Sequence, residues 1–385
     1  MKYKNSIQSK LPLAGTTIFT VMSKLATEHK AVNLSQGFPD FESSPELISL
    51  VNSYMKKGLN QYAPMQGIIS LRERICEKME KLYSAKYNPE SEVTITAGGT
   101  QAIFTAITAM VHEGDEVIIF SPAYDCYSPA VELCGGRPVY VQLDYPKYLV
   151  NWERVRKLFN HRTRMIIINT PQNPTGTILT AQDISKLEQI TRDTNIVVVS
   201  DEVYEHVLFD GYEHQSVARF PKLAERSFIV FSFGKTFHNT GWKTGYIIAP
   251  ENLMAEFRKV HQFNVFSVNT PIQHALADFM KEEKNYSGIA GFYQKKRDFF
   301  ASSLKNSKFQ LLPSAGTYFQ LLDYSKITQE KDTDFAIRLT KDFGVASIPI
   351  SVFYQKNVES HALRFCFAKT EETLEKAAEI LCRVK

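Results

Sequence analysis

Between residues 92 and 250 the chain alternates short apolar, β-branched runs with amphipathic stretches. EVTITAGG (92–99), EVIIF (116–120), RPVYVQL (137–143), RMIIINT (164–170), NIVVVS (195–200), SFIVFSF (227–233) and YIIAP (246–250) read as strands. TQAIFTAITAMVHEG, after the first of them, and AQDISKLEQITRD (181–193) carry helical spacing. Strands apolar at nearly every position are buried on both faces, and their alternation with helices predicts a mostly parallel sheet flanked by helices. From about residue 287 the pattern changes to charged helices (FYQKKRDFFASSLK), shorter strands (GTYFQLLD, HALRFCFAK) and a final helix. The expected organisation is an α/β fold: a large domain over 46–286, and a smaller α+β domain formed by 1–45 with 287–385.

Composition narrows the class without identifying it. The 385 residues are 44% hydrophobic, and 45 basic against 41 acidic residues leave a net charge of +4, too balanced to suggest nucleic acid or an anionic membrane as partner. The five cysteines (Cys76, Cys126, Cys134, Cys366, Cys382) are scattered, with no C-x-x-C pair or zinc-finger spacing, so no metal site is expected. MKYKNSIQSKLPLAG lacks the apolar core of a signal peptide, and no run approaches the ~18 uninterrupted apolar residues of a membrane span. These features predict a cytoplasmic protein.

In open α/β sheets ligands bind beyond the carboxyl ends of the strands. At those ends stand Gly98-Gly99-Thr100, then Ser121-Pro122-Ala123-Tyr124, Asn169 with PQNPTG and its Asn173, Asp201-Glu202-Val203-Tyr204, and Ser232 with Lys235. Taken singly, each has a plain structural reading. Gly98-Gly99 serves equally as a tight turn, Asn173-Pro174-Thr175-Gly176 is a good turn sequence, Tyr124 could be core, and a lone Asp201 would cap a segment. Lys235 and Lys243, eight residues apart, could be solvated loop lysines. Folding alone explains the joint pattern poorly.

Pyridoxal 5′-phosphate accounts for the set. Its aldehyde is captured by a lysine amine as a Schiff base, here Lys235. Its ring nitrogen needs a carboxylate, its 3′ oxygen neutral donors and its ring a stacking face. Its phosphate needs backbone N–H groups, a hydroxyl and a cation, roles open to Ser232 and Lys243.

NLSQGFPDF, NQYAPMQG, PAYDCY, NTPQNPTG, SDEVYEH, SFGKTFHNTGWKTGY and LRFCFAK occur in that order between residues 33 and 369. In these motifs the chain resembles the fold-type I pyridoxal-phosphate aminotransferases of class I/II. The resemblance implies Lys235 as cofactor-bound lysine and proton carrier, Asp201 against the ring nitrogen, and Asn173 and Tyr204 on the 3′ oxygen. Tyr124 would stack on the ring. Gly99, Thr100, Ser232 and Lys243 would hold the phosphate, with Tyr62 reaching across from the second subunit of a homodimer. Arg364 would clamp the substrate α-carboxylate near Gly37 and Asn173, and Ile18, Phe19 and Phe266 would surround the side chain.

Many relatives have an arginine where Lys243 stands, whereas kynurenine and glutamine transaminases resemble this chain in using lysine. Ser267 follows Phe266 where the kynurenine type has histidine, and GTTIFTVMS, NQYAPM and FSVNTP are similar to bacterial methionine aminotransferases. The implied activity moves the amino group of methionine and of aromatic or other neutral amino acids to a 2-oxo acid. The alternative is a kynurenine/glutamine–oxo-acid transaminase with cysteine-conjugate β-lyase side activity. A cofactor-dependent DNA-binding regulator is disfavoured, because the segment before Asn33 is too short for a winged helix.

Overall fold

The computed structural model describes residues 5–12, 14–355, 358 and 360–385. Its central sheet has seven strands: β1 (Val93–Thr96), β2 (Glu116–Ser121), β3 (Arg137–Gln142), β4 (Thr163–Asn169), β5 (Val197–Asp201), β6 (Ser227–Ser232) and β7 (Gly245–Ile248). They lie in the order β1-β7-β6-β5-β4-β2-β3. Only β7 is antiparallel to its neighbours, so β1 points the same way as the parallel set and their carboxyl ends share one edge.

Every residue of β1, β2, β5 and β7 is buried. Successive side chains face opposite sides of a pleated sheet. In β2, Ile118 and Phe120 therefore join the core on one face, while Val117 and Ile119 join the core on the other. The helix Ala181–Thr191 begins with a capping box in which Thr180 and Asp183 satisfy each other's backbone donors. Among the described residues no helix is long and apolar enough to cross a membrane.

A four-stranded antiparallel sheet follows, in the order Ile348–Pro349, Ala362–Cys366, Phe319–Asp323, Gln310–Leu311. The helices Ile289–Ser303 and Glu371–Leu381 pack against each other beside it. Val32–Asn33 pairs in parallel with Val345–Ala346, and Leu34 O accepts the Cys366 N–H at 2.8 Å. On these pairings we propose the division into 46–286 and a second domain built from the two flanking segments.

Two features depart from the periodicity. The fifth strand begins at Val197 and includes Asp201, whose carbonyl accepts from Thr170 N at 3.1 Å and Asn169 Nδ2 at 2.8 Å, extending the pairing by one residue. Lys235 sits in a single helical turn, Phe233–Thr236, in place of an open loop.

Beneath that turn lies a buried ion pair, Lys78 with Glu205, to which Tyr246 and Tyr83 add hydroxyls at 2.6 and 2.5 Å. Burial opposes the Glu205 charge, yet Lys78 and His206 hold its carboxyl down at about 2. Glu205→Ala would leave the Lys78 ammonium buried without its counter-ion, and the expected loss is about 3–5 kcal/mol of folding free energy. Urea unfolding at neutral pH measures it, and a loss under about 1 kcal/mol, the scale of a surface pair, would contradict the assignment.

Candidate active site

The carboxyl edge of the sheet brings the expected strand-end residues around one cavity of about 170 Å³. Gly99, Thr100, Tyr124, Asn173, Asp201, Tyr204, Ser232, Lys235 and Lys243 all line it. Strand register accounts for one end. Thr96 and Ser232 both pair with Gly245, so the turns after β1 and β6 and the turn before β7 meet. Gly98, with φ +81°, opens the helix Gly99–Met110, which has no side-chain cap. A Cβ on Gly98 would lie 3.6 Å from Lys243 Nζ, which places that amine beside the uncapped first turn. Among the described residues no carboxylate forms an ion pair with Lys243. Free N–H groups, the positive end of the helix dipole and an unpaired cation together suit a phosphate-like anion.

Asp201 supplies the opposite charge. It is only 4% exposed, its Oδ2 accepts from Tyr127 Oη at 2.5 Å, and its Oδ1 accepts from the Val203 N–H at 3.3 Å. Burial pushes its carboxyl up to about 6, with the Tyr127 and Val203 hydrogen bonds restraining the rise. Asn169 braces this edge, its Oδ1 accepting from the Asn173 N–H at 2.8 Å.

Lys235 projects into the same cavity and donates to Tyr318 Oη at 2.9 Å and to the Gly37 carbonyl at 3.3 Å. Burial lowers its amine to about 8. Arg364 and Lys243 push the same way, against Cys366 and Asp201. An amine so poised is both a nucleophile and a proton carrier near neutral pH.

Arg364 adjoins the cavity, 1% exposed, its guanidinium 3.9 Å from the Phe319 ring centroid, 5.1 Å from Phe353 and 5.3 Å from Phe19. It donates to Asn173 Oδ1 at 2.6 Å and to the Ser35 carbonyl at 3.2 Å, while its buried Nε has no partner. With its Oδ1 engaged, Asn173 keeps its Nδ2 donor for the cavity. Burial lowers Arg364 to about 10. Both its hydrogen-bond partners are neutral and the Asp125 carboxylate acts on it only through space, so among the described residues this buried cation has no directly paired anion.

Ile18 and Phe19 begin the helix Ile18–Glu28, half-buried against the core that includes Phe319 and Phe353. Tyr62 and Phe266 do not line the cavity in this chain. They pair edge to face at 5.4 Å on the surface, 82% and 47% exposed. Sequence reasoning passed over Tyr318, Tyr127, Phe319 and Phe353. Tyr127 follows Tyr124 by three residues at a helix start, a spacing that hints at a shared face. Tyr318, in GTYFQLLD, gives no local signal beyond strand propensity.

The family model for aminotransferase class I and II matches residues 29–381. The chain is 48% identical over 375 residues to the methionine aminotransferase of Escherichia coli K12, covering 97% of each chain. A crystal structure of an Escherichia coli protein identified as having methionine aminotransferase function superposes with a TM-score of 0.97, covering 98% of this chain and 100% of that one. Human kynurenine–oxoglutarate transaminase 1 is 34% identical over 400 residues, with 94% of each covered.

The lowered amine has a direct signature in the cofactor-free chain. Reductive methylation of Lys235 with formaldehyde and cyanoborohydride, mapped by mass spectrometry, should rise about tenfold per pH unit and level off above about pH 8. A midpoint near the ordinary lysine value of 10.5 would refute the desolvated environment.

Proposed function

The chain belongs to the class I and II aminotransferases, and we propose that it uses pyridoxal 5′-phosphate to move the amino group of methionine, and of aromatic or other neutral amino acids, to a 2-oxo acid. The observation that carries the reading is the shared cavity: a lysine amine lowered to about 8, a buried carboxylate, and an uncapped helix start beside an unpaired lysine. The donor set fits the cofactor. Gly99 and Thr100 N–H groups, the Ser232 hydroxyl and Lys243 would hold its phosphate, Tyr124 would cover its ring, and Asn173 and Tyr204 would reach its 3′ oxygen. Asp201, short of a paired cation, would accept from the protonated ring nitrogen.

When bound, the group supplies an aldehyde for the amino nitrogen and an electron-withdrawing ring that acidifies the substrate Cα–H bond. Lys235 would hold the group through its aldehyde, and as a free amine would take the Cα proton and later return one. Arg364 and the Gly37 backbone fix the α-carboxylate, which gives the buried guanidinium its missing anion.

The partners are amino acids, 2-oxo acids and a second copy of this chain. Tyr62 and Phe266, paired edge to face, and Phe263, 87% exposed, leave large aromatic side chains uncovered in the single chain. Tyr62 completes the partner's phosphate site and Phe266 its substrate pocket. Sedimentation of the active enzyme should give a dimer; full activity in a monomer would overturn this assignment.

Methionine is supported by the Escherichia coli relative, by Tyr124 on the cavity wall and by Phe19 beside the Arg364 guanidinium, and we assign Ile18 and the partner's Phe266 to the same wall. A flexible thioether gains about 0.3–1.5 kcal/mol from each sulfur–aromatic contact. Aspartate would bury a second carboxylate with Arg364 already occupied, at a cost of several kcal/mol. The human relative supports the second reading, a kynurenine or glutamine transaminase with β-lyase side activity. With one fixed 2-oxo acid, kcat/KM for methionine should exceed that for aspartate by about 10²-fold or more, with phenylalanine, tyrosine, leucine, glutamine and kynurenine between them, and Lys235→Ala should abolish all turnover. Aspartate above methionine would reject the substrate assignment, kynurenine first would favour the second reading, and an active Lys235→Ala would reject the mechanism.

A further inference from the structure

Lys235 has an anchor that binding the cofactor does not require. Tyr318 Oη lies 2.6 Å from the Gly37 carbonyl and 2.9 Å from Lys235 Nζ, and the same carbonyl lies 3.3 Å from Nζ. A carbonyl has no proton to give, so the short contact assigns the Tyr318 proton to Gly37 O and leaves Tyr318 Oη an acceptor toward the amine. Burial, with Tyr204 and Cys366 adding to it, pushes the phenol well above its usual range, so it keeps that proton wherever the amine titrates.

We propose that Tyr318 and the Gly37 carbonyl form a two-acceptor clamp that aims the Lys235 amine during proton transfer, making Tyr318 a positioning residue of the reaction. The inference rests on the aminotransferase mechanism above and concerns the lysine while it is free of the cofactor. A neutral amine has two N–H bonds and one lone pair. The two acceptors stand 2.6 Å apart and subtend at Nζ far less than the angle between two amine N–H bonds, so they share one N–H between them and fix where Nζ stands, with the rest of the amine left to the cavity that Lys235 lines. When the amine takes the Cα proton, the shared N–H stays on the clamp and keeps Nζ in place.

The clamp is stiff because each member is fixed independently. Tyr318 is fully buried, with its ring perpendicular to Tyr204 at 5.1 Å and packed on Phe319 and Tyr293 at 5.0 and 5.6 Å. The Gly37 backbone is held on either side by Arg364 on the Ser35 carbonyl and by Lys369 on the Phe38 carbonyl at 2.8 Å. A Cβ at Gly37 would stand 2.7 Å from Phe319 Cζ, so this backbone rests directly on the neighbouring ring.

Tyr318→Phe keeps the ring and deletes the acceptor. In the full-length cofactor-free chain, the Lys235 methylation midpoint should fall about one pH unit below wild type, because a hydrogen bond accepted from the ammonium favours the charged form. In the holoenzyme, the half-reaction with methionine should slow about 10- to 100-fold. Its primary isotope effect with α-deuterated methionine should increase, while cofactor content and donor affinity hold. Gly37→Ala, which displaces the carbonyl through Phe319, should shift the midpoint the same way. An unchanged midpoint and isotope effect in Tyr318→Phe overturns the clamp, as does a change confined to melting temperature or cofactor retention. A wild-type chain that binds no pyridoxal phosphate would instead refute the proposed function, and the methylation comparison would still be readable.

Discussion

Burying the Asp201 carboxylate at the end of a fully enclosed strand is unfavourable unless a proton or a cation compensates it, and the arrangement of the site follows from that condition. Tyr127 and the Val203 amide each offer a neutral donor, which restrains but does not cancel the rise of its pKa to about 6. The backbone cannot yield, because the Asp201 carbonyl is tied to Thr170 and Asn169 on the neighbouring strand. The fold thus keeps an electrostatic demand open at the mouth of the sheet. The protonated ring nitrogen of the proposed cofactor would meet it.

The cations of the site are arranged on the same principle with the sign reversed. Among the described residues lining the cavity, Lys235 and Lys243 face one carboxylate, Asp201; Arg364 stands beside them, and Arg364 and Lys243 help to lower the Lys235 amine. Each has a place for an anion: Lys243 beside an uncapped helix start, Arg364 within an aromatic cage. A phosphate at one end and an α-carboxylate at the other would neutralise them, while Lys235, already near 8, can stay neutral long enough to act as a base.

Geometry comes from three separated parts of the chain. The central sheet supplies the strand ends, the antiparallel sheet supplies Arg364 and Tyr318, and the segment around Gly37 closes over both. Arg364 donates across the sheets to Asn173, and Tyr318 ties Gly37 to Lys235. Displacing the N-terminal segment would therefore alter carboxylate binding and lysine aim together, since Gly37 serves both.

The apolar runs by themselves determined the seven strands of the large sheet, because strands buried on both faces need β-branched residues at nearly every position. The rule that ligands gather at strand carboxyl ends then sufficed to select Gly99, Asp201, Ser232 and Lys235, whose positions are fixed by where a strand stops. Tyr127 on Asp201, Tyr318 on Lys235 and Asn173 on Arg364 are pairings across 74, 83 and 191 residues. No local period encodes such contacts. The packing of the second sheet and the N-terminal segment against the first decides them, and it also decides that Tyr62 and Phe266 face outward, since only the folded surface separates a core aromatic from one presented to a partner.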